Sequence, residues 1–63
     1  MFRYTSKISP GRQVSVHAEN IEEAKDKIYE HLYFNRDEVL NAYRTKESFK
    51  RMLKPVKEKL VFA

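Results

Sequence analysis

The chain predicts an α+β domain of order ββααα, an N-terminal antiparallel β-hairpin packed by two to three short α-helices. Three observations carry that expectation. Two blocks of strictly alternating residues flank a Pro-Gly pair, the apolar residues downstream recur at helical spacing, and the strand pattern precedes the helix pattern instead of alternating with it.

In the first block Phe2, Tyr4, Ser6 and Ile8 oppose Arg3, Thr5 and Lys7; in the second Val14, Val16 and Ala18 oppose Ser15, His17 and Glu19. Successive side chains of a strand point to opposite faces, so each block is a strand with one buried side. Between them lies Ser9-Pro10-Gly11-Arg12, built around the only glycine of the chain. Proline presets the first central position of a turn and glycine accepts the positive φ of a type II turn at the second. The hairpin is therefore expected over residues 2–18.

Asn20 opens a helix, because its side chain can accept from the free N–H groups of the first turn while Glu22 and Glu23 sit at the positive dipole end. Ile21, Ala24, Ile28 and Leu32 form one apolar stripe, widened by Tyr29 and Tyr33, which sets the first helix at about residues 21–33. A second helix is expected over 36–44, with Val39, Leu40 and Tyr43 inward, and Asn35 marks both a stop, in the left-handed conformation, and a restart. Phe49, Met52, Leu53, Val56 and Leu60 predict a third helix over 47–60, capped by Thr45 or Ser48. Pro55 lies inside that pattern, so a kink or break is expected there. Leu60, Val61, Phe62 and Ala63 read as a helix end, a short third strand or a docked tail.

With 63 residues the chain is one domain with a thin core, and without cysteine it has neither a disulfide staple nor a thiolate metal site. No apolar run reaches the roughly 18 residues of a membrane span, and the N-terminus lacks a signal-peptide core. A cytoplasmic protein without membrane association is expected. The basic, amphipathic residues 48–62 suit an interfacial helix, but Pro55 and the need for their apolar stripe in the core speak against it.

Catalysis is not expected. The chain has no cysteine nucleophile, phosphate-cradling glycine loop or serine elbow, and His17 and His31 lack HxxxH or ExxH spacing for a metal. The carboxylates Glu22, Glu23, Asp26 and Glu30 lie at helical spacing beside Lys25 and Lys27, where solvation leaves them unsuited to acid–base work. No cofactor is expected.

Charge is distributed unevenly. Residues 44–59 carry seven cations against two acids, whereas residues 19–38 carry seven acids against three bases, within a net charge of +4. A basic end beside an acidic middle points to a binding surface. Two partner classes follow. Tyr29, Tyr33, Phe34 and Tyr43 crowd the junction of the first two helices beside Arg36 and Arg44, and Tyr and Arg are over-represented where proteins bind proteins, so Tyr33, Phe34, Arg36, Tyr43 and Arg44 are the expected contacts. A single helical stripe of Lys46, Lys50, Lys54 and Lys57, flanked by Arg51 and Lys59, would instead suit a nucleic-acid backbone without reading its bases. The protein partner is the leading expectation and sequence-blind nucleic-acid binding the alternative. A homodimer through the hairpin edge or the aromatic junction would support a marginal core.

The run from Val14 to Ile28, an alternating strand, a polar cap and a Glu-Glu-Ala first turn, looks like the strand-to-helix joint of many small α+β domains. In format, a basic, cysteine-free chain of this size resembles the short accessory proteins of phages and mobile elements. That resemblance implies binding to a host protein or nucleic acid.

Overall fold

In the computed structural model, which describes residues 1–58, the hairpin forms where the alternation places it. Strand β1 spans Phe2–Ser9 and β2 spans Arg12–Ala18, with Phe2 opposite Ala18 and Tyr4 opposite Val16. Gly11 takes φ 78° in the turn, the conformation for which glycine is needed, and the register shifts between Lys7 and Ser9. Tyr4, Ser6, Ile8 and Ala18 are buried on one face, while Arg3, Lys7, Gln13, Ser15 and His17 are exposed on the other.

Helix α1, Ile21–Phe34, covers the buried face. Asn20 caps it as expected, its side chain accepting from Glu23 N at 2.9 Å. Ala24, Ile28 and Leu32 face the sheet and, with Tyr4, Ile8, Ala18, Phe49 and Leu53, make up the buried core. The apolar stripe of α1 is thus the lid that a small sheet requires.

Beyond α1 the chain departs from the predicted pattern in three places. The α-helix expected over 36–44 is a five-residue 3-10 helix, Glu38–Ala42, capped by Asp37, whose carboxylate accepts from Val39 N at 3.1 Å. Three residues per turn bring Leu40 and Tyr43 to one side, where both pack against the core. The helix expected over 47–60 is α2, Lys46–Met52, and it stops before Pro55. Proline disfavours helical backbone in the residue before it, and the chain is already extended at Leu53 (φ −69°, ψ 134°).

The third departure follows from the second. Freed from helix, Val56–Lys57 form a short strand, β3, antiparallel to β1, with Tyr4 opposite Lys57 and Thr5 opposite Val56. Among the described residues the sheet is therefore three-stranded, in the order β2-β1-β3, with β1 central. Glu58 fixes the added strand: its backbone N–H donates to Arg3 O at 2.9 Å, and its carboxylate accepts from Thr5 Oγ1 at 2.7 Å. On the helix side the Lys57 ammonium lies 3.6 Å from the centroid of the Phe2 ring, a cation–π contact. The expectations for Lys59, Leu60, Val61, Phe62 and Ala63 lie outside the described residues. Among the described residues no helix is long and apolar enough to cross a membrane.

Candidate functional site

The candidate surface is assembled at the C-terminal end of α1. Tyr29 and Tyr33 are one helical turn apart and stack, with ring centroids 5.9 Å apart and planes inclined by 22°. Phe34 meets Tyr33 edge-on at 5.9 Å. Only Tyr29 is tied to the core, tilted against Phe49 at 5.9 Å, so the stack runs outward from the protein interior to solvent. Tyr33 is 60% exposed and Phe34 78%.

The helix end fixes these rings in place. Asn35 N donates to His31 O, Arg36 N to Tyr33 O at 3.1 Å and Asp37 N to Leu32 O at 3.0 Å. This is the Schellman arrangement, in which the residue after the cap is left-handed and normally glycine. Here that residue is Arg36, at φ 51°. The left-handed position thus falls one residue after Asn35, which itself has φ −89°. An L side chain there costs on the order of 1 kcal/mol relative to glycine, because Cβ approaches the following carbonyl. The surrounding fold holds the strained residue in place.

Part of that hold comes from the hairpin. Arg12 at the start of β2 grips Asp37 with both guanidinium nitrogens, at 3.1 and 2.6 Å. Asp37 is mostly covered and caps the 3-10 helix at the same time. Its hydrogen bond from Arg12, followed by the one from Val39 N, lowers its pKa from the ordinary 3.8 to about 2. The clamp joins the turn end of the sheet to the loop that carries Arg36. An open cleft of about 580 Å³ results, lined by Tyr29, Tyr33, Phe34, Arg36, Leu40 and Asn41.

Of the five residues predicted for a protein partner, Tyr33, Phe34 and Arg36 come together on this cleft. Tyr43 does not: its ring packs edge-on against Phe49 at 5.3 Å, on the core side. Arg44 is exposed beyond it and does not line the cleft. Tyr29 was read as part of the crowded junction but not as a contact, and Leu40 and Asn41 were not expected on this surface. The i, i+4 spacing of Tyr29 and Tyr33 was the signal available for the first of them.

The predicted lysine stripe is not a single helical stripe, because α2 ends at Met52 and Lys54 and Lys57 lie beyond it. The lysines that α2 does carry face the acids of α1. Lys50 Nζ is 2.8 Å from Asp26 Oδ1 and 3.9 Å from Glu22, with its side chain only 15% exposed. Lys46 lies 3.6 Å from Asp26 and 5.3 Å from the Tyr29 ring centroid. The hydrogen bond between Lys50 and Asp26 raises the pKa of the lysine and lowers that of the aspartate. Arg51, Lys54 and Lys57 remain exposed. The cations of the last third and the acids of the middle third thus partly answer each other within the fold.

A second open cleft, of about 510 Å³, lies between β1 and the chain after α2, lined by Thr5, Lys7, Gln13, Met52, Val56 and Glu58 among others. Among the described residues no aromatic ring lines it. Among the described residues no three His, Asp or Glu side chains gather as a metal site would require. Comparison with known proteins finds no family model, no curated protein and no solved structure that matches this chain.

Proposed function

We propose that the protein is a small non-enzymatic binding module whose partner is another protein and whose working surface is Tyr33, Phe34 and Arg36. The observation that carries the reading is the pairing of exposure with rigidity. Two adjacent aromatic rings stand mostly in solvent, yet one is stacked on a core-anchored tyrosine and the next cation is locked at a helix end. Rigid aromatic anchors lose little conformational entropy on binding, which is why Tyr, Trp and Arg dominate binding hot spots. Scattered exposed apolar residues are ordinary, but a stacked cluster lining a cleft is a patch with a definite shape. The strained Arg36 adds support, since left-handed non-glycine residues concentrate at functional positions.

Nucleic acid is the second reading. Its support is that among the described residues Arg44, Arg51 and Lys54 make no ion pair. It relies on phosphate contacts, since the basic segment offers cations and no Asn or Gln to read bases.

Affinity capture from the native cell with three baits separates the two. The wild type and an Arg51→Glu/Lys54→Glu variant should retain the same discrete protein, whereas Tyr33→Ala/Phe34→Ala should lose it. The reading fails if the charge-reversed bait loses the bound material and nuclease removes it from the wild type.

A further inference from the structure

The outer edge of β2 points to a second interaction surface, independent of the aromatic cleft. In an antiparallel sheet each residue sends its N–H and C=O to the same side, and successive residues alternate sides. Arg3 O accepts from Glu58 N, so Arg3 and Thr5 address β3, and Phe2, Tyr4 and Ser6 address β2. Their partners Ala18, Val16 and Val14 answer β1, which leaves the backbone groups of Gln13, Ser15 and His17 pointing away from it. The contact of Lys27 Nζ with His17 O, at 2.6 Å, checks that assignment independently. Among the described residues no strand lies beyond β2.

Proteins usually blunt such an edge with prolines, bulges or several charges. Here, among the described residues, a single lysine covers a single carbonyl, and the backbone groups of Gln13 and Ser15 stay open. The strand is also self-complementary. Paired antiparallel about a two-fold axis at Ser15, it sets Ser15 opposite Ser15, Gln13 opposite His17, Val14 opposite Val16 and Arg12 opposite Ala18. That register uses the full Arg12–Ala18 strand, matches outward residues with outward residues, and places no like charges opposite each other. The half-buried Val14 and Val16 meet on the helix side and extend the apolar face across the junction.

The flanking helix is complementary as well. Helix α1 runs back along β2 from Asn20 toward the turn, where Asp37 meets Arg12. Lys27 marks the flank of α1 above the free edge, and helical spacing puts Glu23, Glu30 and His31 on that flank too. That flank carries both signs of charge, so two copies can set opposite charges against each other across the junction.

We propose that the protein forms a homodimer in which two β2 edges pair antiparallel about Ser15, joining two three-stranded sheets into one. Sedimentation equilibrium on the full chain should show the mass rising, across the micromolar range, to twice the 7.6 kDa of the protomer. Ser15→Pro removes an outward N–H and an exposed hydroxyl contact with Thr5 Oγ1 at 2.8 Å, losses that a protomer's edge strand tolerates, so the variant should keep its circular dichroism spectrum and stay at one protomer mass. A second variant guards against misfolding. Opposed residues on the axis have Cα atoms about 5.5 Å apart, within disulfide reach, so Ser15→Cys in this cysteine-free chain should cross-link readily on oxidation. Thr5→Cys, one strand further in and about 14 Å from its mate, should cross-link at least about tenfold more slowly. A wild type that stays at protomer mass, a dimer that survives Ser15→Pro, or equal oxidation of the two cysteine variants would each overturn the proposal.

Discussion

Phe34 and Phe49 are fifteen residues apart and chemically identical, and the account assigns them opposite roles. Phe34 is 78% exposed and touches Tyr33 edge-on; Phe49 is fully buried between Tyr29 and Tyr43. Complete burial of a phenylalanine is worth roughly 1.5–3 kcal/mol, so the fifth of Phe34 that is covered contributes about 0.5 kcal/mol. Its exposed edge contact adds about as much again. Phe34→Ala should therefore cost about 1 kcal/mol or less, a fall of at most some 4–8 °C in melting temperature for a chain of this size. Phe49→Ala empties a site in the core at a cost of about 3–5 kcal/mol. A domain of this length has roughly 3–9 kcal/mol of stability in total, so that substitution removes most or all of it. Urea unfolding followed by circular dichroism measures both. A loss above about 2 kcal/mol for Phe34→Ala would refute the reasoning, because it would mean that the ring supports the fold instead of standing free of it.

Arg36→Gly should stabilise the domain by about 1 kcal/mol in the same assay, through relief of the left-handed residue, while weakening partner capture. The clamp on Asp37 predicts a pH dependence of definite sign. Its folded-state pKa, about 2, lies below the ordinary 3.8, so its contribution is complete above about pH 4 and is lost as pH falls toward 2. Urea midpoints measured across that window should drop less steeply for Asp37→Asn than for the wild type. Lys50→Glu sets a third carboxylate beside Asp26 and Glu22, and should lower the melting temperature more than Lys54→Glu, whose side chain is exposed. Arg51→Glu/Lys54→Glu should leave the unfolding midpoint near that of the wild type, which makes it the clean charge control for binding.

The strands were legible because alternation and the Pro-Gly turn are local signals. Asn20 and the α1 stripe were legible for the same reason. What was not legible depended on distant partners. Nothing near Val56 marks it as a strand; β3 exists because β1 offers Thr5 and Arg3 to it across most of the chain. Pro55 warned of a break, but the run Phe49, Met52, Leu53, Val56 still read as a helix face after α2 had stopped. The lysine stripe failed with it, since a stripe at steps of three and four needs a continuous helix. Arg36 carries no left-handed preference, and its φ of 51° is imposed by the Schellman bonds together with the Arg12–Asp37 clamp. At the site, the crowding of Tyr33, Phe34 and Arg36 could be read from adjacency. The inward turn of Tyr43 could not, because it depends on where Phe49 comes to lie.

The most direct test of the central claim is site-specific photo-crosslinking in the native cell, with a benzophenone side chain in place of Phe34 and, as control, in place of Glu47 on the exposed side of α2. The account predicts one discrete protein adduct from position 34 and none from position 47. No adduct at position 34, or the same adducts from both positions, would contradict it.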